Sequence, residues 1–153
     1  MKKIVSGGQT GADLAAIDWA IANNVPYEIR TFVGFKPVND RSFDYRHIHW
    51  LPAHSSYVKS LRARTLYNIL NSDCTFIFLD RPIASTRGTR LTRSLCEKHS
   101  RPFQIVPIPA SRTLLSHVSL ILKDFDRFDV INCAGPRSID EESVRKALDL
   151  IAS

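Results

Sequence analysis

Apolar and polar positions along this chain change period several times. A short apolar run, Lys3 to Ser6, meets Gly7-Gly8-Gln9-Thr10-Gly11 and then gives way to helical spacing from about Gly11 to Asn23. There Leu14, Ile17 and Ile21 fall on one stripe and Ala15, Trp19 and Ala22 on another, which predicts a widely buried helix. Tyr27 to Val33 alternates and predicts a second strand. Helical spacing returns from Ser55 to Asn71, with Val58, Leu61, Thr65 and Ile69 aligned. Cys74 to Leu79 is apolar without a break, the pattern of a strand covered on both faces in a parallel sheet. Gly88 to His99 reads as a helix with Leu91, Leu95 and Cys96 inward, and Phe103 to Ile108 as a strand ended by Pro107 and Pro109. Ser111 to Phe125 is amphipathic through Leu114, Val118, Ile121, Leu122 and Phe125. Asp129 to Cys133 is the last strand. A capping box, Ser138 with Glu141, opens a final helix that turns Val144, Ala147, Leu148 and Ile151 inward.

Such alternation predicts a three-layer α/β domain around a mostly parallel sheet of about five strands. Chain order alone puts the last strand at an edge. Residues 34–54 interrupt the pattern with Gly34, Pro37, Asn39, Asp40 and Pro52 and no periodicity. A loop this long is a lid, a binding segment or a misread element.

Composition narrows the class. At 153 residues the chain is read as one domain spanning 1–153, and 44% hydrophobic with 24% charged residues is ordinary for a globular protein. A domain this size needs no disulfide or metal to hold it together. No apolar run approaches the ~18 residues of a membrane span. Met1 to Val5 begins as a signal peptide would, but Ser6 to Gly11 breaks any apolar core, so the expectation is a cytoplasmic protein. Cys74, Cys96 and Cys133 are odd in number and form no C-x-x-C, and they read as reduced core residues. The net charge of +6 suits an anionic ligand or a nucleic acid without choosing between them.

Ligands of parallel α/β sheets bind beyond the carboxyl ends of the strands, so the loops there carry the chemistry. Gly7 to Gly11 matches neither the dinucleotide nor the P-loop fingerprint. Its glycines would still let backbone approach an anion at a helix N-terminus, while Thr10 with Asp13 reads as a helix cap. Asp80 to Thr89 follows the strongest strand and leads into a helix whose first turns hold Arg90 and Arg93. Cations there oppose the helix dipole, so they either meet an acidic partner or stay solvated or paired with a carboxylate. The third loop is Asn132 to Arg137, with Gly135-Pro136 as turn punctuation. His47, His49 and His54 lack an acidic fourth ligand and read as solvated loop residues, so no metal site is expected. Lys59, Arg62 and Arg64 read as a solvated helix face, with Arg64 and Asn68 sharing a side at i, i+4.

Taken together, Ser6 to Asp13, Arg64-Thr65-Leu66-Tyr67-Asn68 running into Asn71-Ser72-Asp73, Gly88-Thr89, and Asn132 to Ser138 resemble the circularly permuted YpsA family. Its members also carry the name molybdenum cofactor carrier protein. The resemblance implies a Rossmann-like domain related to DNA-processing protein A and the lonely-guy phosphoribohydrolases. It also implies that the last strand inserts between the first strand and Cys74–Leu79, bringing the three loops to one cleft. The chain departs from the family with Leu14 where an arginine is usual and Arg87 where a glycine is usual; it keeps Lys36 from a Pro-Lys-Gly-Arg pattern. Leu91, Thr92 and Arg93 follow Gly88-Thr89, without the acidic residue that phosphoribohydrolases need there.

The expected function is that of a non-catalytic carrier for a small phosphorylated ligand, a nucleotide or the molybdenum cofactor. Its expected site is Gly7, Gly8, Gln9, Thr10, Gly11, Arg87, Gly88, Thr89, Gly135 and Arg137. A homo-oligomer is expected, with neither a membrane nor nucleic acid as partner. The alternatives are a nucleotide hydrolase or transferase using Asp13 or Asp80 as base, and a nucleic-acid-binding module.

Overall fold

The buried run Cys74–Leu79 lies inside a six-stranded, all-parallel sheet in a computed structural model that describes residues 2–37, 47–118 and 125–153. The strands are β1 (Lys3–Ser6), β2 (Tyr27–Phe32), β3 (Ile48–Leu51), β4 (Cys74–Leu79), β5 (Phe103–Pro107) and β6 (Val130–Ala134). Their order across the sheet is β3-β2-β1-β6-β4-β5. The last strand is thus central, with Ile4 opposite Ile131 on one side and Thr75 opposite Asn132 on the other. A carboxylate fixes its entry: Asp73 Oδ2 accepts from the Asp129 and Val130 amides at 2.9 and 2.8 Å. Asn132 Nδ2 donates to Thr75 Oγ1 in the buried interior.

Helices cover both faces. On one, α1 (Ala12–Ala22) packs against α5 (Glu141–Ala152), and Trp19 Nε1 donates to Asp149 Oδ1 at 2.8 Å. Leu115 of α4 (Arg112–Val118) joins the same core. On the other, α2 (Tyr57–Leu70) and α3 (Arg87–Lys98) bury Ile69, Leu95 and Cys96 together. The fold is α/β, three-layered and Rossmann-like. None of the helices among the described residues is long and apolar enough to cross a membrane.

Several expectations need correction. The sheet has six strands rather than about five, because β3 sits inside the stretch read as a loop. Its four residues are half-buried or exposed at a sheet edge, too short and too mixed to show a period. Ile21, Ala22 and Val58 point to solvent instead of the core, since each lies at a helix end beyond the reach of the sheet. Asp140, not Ser138, caps α5, its carboxylate accepting from the Ser143 amide at 3.0 Å. Residues 38–46 and the later part of the predicted helix Ser111–Phe125, at 119–124, lie outside the described residues.

Gly135 shows how tightly α1 docks. A β-carbon there would sit 2.6 Å from the Phe78 carbonyl oxygen and 2.7 Å from Ala12 Cβ. Neither neighbour is a flexible side-chain tip, so overpacking of this kind costs about 1–3 kcal/mol. Gly135→Ala is expected to lower the free energy of unfolding by that amount in urea titration.

Candidate functional site

The carboxyl ends of β1, β6 and β4 form the centre of the sheet, where successive connections run outward in opposite directions. After β1 the chain makes a loop from Gly7 to Gly11 that is almost entirely bonded to itself. The Gly8 amide donates to Ser6 Oγ at 3.4 Å, the Gln9 amide to Asp13 Oδ2 at 3.2 Å and the Thr10 amide to Gln9 Oε1 at 3.0 Å. Thr10 is therefore not the cap of α1. Gly11 takes that position with φ +86° and no side-chain cap, while Asp13 reaches back to the loop.

Gly11 has a second reason to lack a side chain. Its β-carbon would collide with the Pro136 carbonyl oxygen and lie 2.7 Å from the Arg137 carbonyl. The Ala12 amide donates to that Pro136 oxygen at 3.4 Å. The first and third loops are thus in direct contact. A further link comes from Arg81, which grips Asp80 through two nitrogens and donates to Ser138 Oγ at 3.0 Å. This ties the loop after β4 to the loop after β6.

The sequence pattern places Arg64 on a solvated face, and here the structure differs. Lys59 and Arg62 are exposed, but Arg64 leans inward from α2 and its Nη1 donates to the Gly7 carbonyl at 3.2 Å. Its guanidinium lies 5.1 Å from the centre of the Phe35 ring, within cation–π range. A β-carbon on Gly7 would fall 2.6 Å from Arg64 Nε, so Gly7 is the floor on which this arginine rests. The shared side of Arg64 and Asn68 was the available sign: Asn68 is buried too, donating to the Arg30 carbonyl.

Asp13 and Arg64 therefore hold the loop from its two sides. Burial raises the Asp13 carboxyl from its ordinary 3.8 to about 6, against the lowering pull of Arg64 and of the Gln9 and Gly7 amides. Burial also pulls Arg64 down, and Asp13 opposes that. Asp80 is the reverse case, held below the usual range by its hydrogen bonds to Arg81.

The remaining expected residues are placed as follows. Gly88 lies in the first turn of α3 facing open space, Thr89 beside it is buried, and Arg87 and Arg137 are exposed. Arg93 pairs with Glu97 at 2.9 Å, the carboxylate partner considered for it. Next to Arg64, a cavity of about 150 Å³ opens between the end of β3 and α2. His49 stacks on Tyr67 and His47 packs edge-on to Tyr27, so two of the three loop histidines make aromatic contacts. Among the described residues no three His, Cys, Asp or Glu side chains gather as a metal site would require. The three cysteines are buried, and burial raises each thiol, Cys74 to about 12.

A family profile described as the circularly permutated YpsA SLOG family matches residues 4–152. The chain belongs to this family. A search of curated proteins finds no match. Among solved structures, a "putative molybdenum carrier protein" from Syntrophus aciditrophicus SB is similar, with a TM-score of 0.81 and 29% identity. The similarity covers 100% of this chain and 96% of the other. The central position of β6 is the permuted order that the family resemblance implied.

The buried carboxyl makes stability depend on pH. Well below pH 4 Asp13 is protonated whether the chain is folded or unfolded. Between 4 and 6 the folded chain keeps a proton that the unfolded chain has lost, so stability falls as pH rises. Relative to Asp13→Asn, which keeps an oxygen for the Gln9 amide, the wild type is expected to lose about 2 kcal/mol between pH 4 and 7. Urea titrations of both proteins across that range check this; a constant difference would contradict it.

Proposed function

We propose that this member of the permuted YpsA family is a carrier that holds a small phosphorylated ligand at the carboxyl ends of β1, β6 and β4. One observation carries the reading. The glycine loop is fixed from both sides by Asp13 and Arg64, and it lies against Pro136 and Arg137 at the centre of the sheet. A loop fixed in advance of binding loses little further entropy when a ligand settles on it. Arg137 and Arg87 would neutralise the phosphate, and exposed Gly88 would let it approach the first turn of α3. Most amides of the loop are already bonded. The phosphate would therefore be met by the Gly11 amide and by the α3 turn rather than by a full ring of N–H groups.

The solved relative's description makes the molybdenum cofactor one candidate cargo. The fit favours its phosphate: among the described residues no cluster of metal ligands is present, and all three thiols are buried, which raises each above its ordinary range. Recognition would rest on the phosphate and the ring system rather than on the metal. The enzyme alternative finds less support. Asp80 is a weak base because Arg81 stabilises its charged form, and Asp13 is committed to the loop.

Gly88 offers the clean test, since Ala there meets nothing within 4 Å and suits a helix. Titration calorimetry with adenosine 5′-monophosphate is expected to show at least a tenfold loss of affinity in Gly88→Ala, about 1.4 kcal/mol, with an unchanged or higher melting temperature. Equal affinity in the two proteins would remove the α3 turn from the site.

A further inference from the structure

Residues 52–59, from the end of β3 into the first turn of α2, are exposed without a break. A helix start in water calls for polar side chains, yet this one presents Tyr57 at 50% exposure and Val58 at 71%. The turn after β2 leaves Val33 59% exposed. Tyr57 ties the two segments together. Its ring meets Phe32 edge-on at 5.4 Å and stacks on Phe35 at 6.5 Å between centres, and these two rings flank the Val33-Gly34 turn. Apolar side chains scattered singly are ordinary, but several brought together and rimmed by polar groups mark a contact surface.

The rim carries one sign of charge. Among the described residues, 29–37 and 47–72 contain no Asp or Glu. Lys36, Lys59 and Arg62 are exposed, and Arg62 falls one turn after Val58 on the same side of α2. Arg30 and Arg64 turn inward instead, to Glu28 and to the Gly7 carbonyl. We propose that this corner docks a second protein through a segment in which Asp or Glu is interleaved with apolar side chains. Apolar and aromatic groups together with arginine are the makeup of a protein interface. A nucleic acid would leave Val33 and Val58 against phosphates and their water, which valines cannot bond. A second copy in a two-fold arrangement would bring Lys59 and Arg62 toward their own images, with no carboxylate in the patch to meet them. An acidic protein surface covers the valines and pairs the cations.

The surface also lies close to the glycine loop. Phe35, on which Tyr57 stacks, carries the Arg64 guanidinium at 5.1 Å, and Arg64 bonds the Gly7 carbonyl. A partner seated on Tyr57 is one aromatic stack and one arginine away from the loop. Docking there does not depend on what the loop holds.

Photocrosslinking of the full chain in its own host tests this. p-Benzoylphenylalanine in place of Val58 is expected to capture one protein, joined through a segment with Asp or Glu next to apolar residues. The same probe in place of Lys146, exposed on α5 across the sheet, is expected to capture none of it. Once purified, that protein is expected to bind the wild type in calorimetry, more weakly as salt rises. Val58→Asp and Arg62→Glu are each expected to bind it at least tenfold less tightly. An acid in the first turn suits a helix, so Val58→Asp is expected to melt no lower than the wild type. Crosslinks to nucleic acid or to a second copy of this chain, a captured segment without Asp or Glu, equal capture from both positions, or no capture would each overturn the proposal. So would a captured protein that does not bind, or that binds either variant as tightly as the wild type.

Discussion

Everything at the carboxyl end of this sheet depends on how closely α1 approaches the exit of β6. The contact leaves no space for a side chain at Gly11, where the Pro136 and Arg137 backbone lies, or at Gly135, where Phe78 and Ala12 lie. Because these two glycines carry no β-carbon, the strand from the end of the chain can sit between β1 and β4. The loops that follow β1 and β6 are then in contact although more than a hundred residues separate them. Asp73 secures the opposite end of β6, and the Thr75–Asn132 hydrogen bond satisfies polar groups in between. The centre of the sheet is specified at both ends and in the middle.

On that frame the glycine loop is shaped by charge. A carboxylate from α1 and a guanidinium from α2 bond to its Gln9 amide and to its Gly7 carbonyl, and burial works against both charges. Such a pair is a weak source of stability, because the cost of removing each charge from water offsets most of the attraction. Its consequence here is shape. The Ser6, Gln9 and Asp13 side chains occupy amides that a phosphate could otherwise use, so the loop resembles a preformed rim more than a full cradle.

Much of the fold was legible because the local periods are clean. The strands at Lys3–Ser6 and Cys74–Leu79 and the helices that follow them stand within a residue or two of their expected ends. The short edge strand β3 was hidden because half-exposed residues such as His49 and Trp50 carry no alternation. The cap of α1 was misassigned because Thr10-x-x-Asp13 fits a capping pattern. The close approach of Pro136, which puts a glycine in the cap position, is a long-range fact. Central placement of β6 followed from the family resemblance and not from periodicity. Arg64 departs furthest from what its place in the sequence implies. A single charged residue on a polar helix face looks solvated until the fold shows a side-chain-free backbone opposite it, and Gly7 supplies that only in three dimensions.

The central claim is that the centre of this sheet carries a phosphorylated ligand. Native mass spectrometry of the full chain, purified without denaturant from its own host, addresses it most directly. The expected spectrum shows one phosphorus-containing species per chain, released on denaturation and identified by its mass. A chain that carries nothing, or a bound species without phosphate, would contradict the claim.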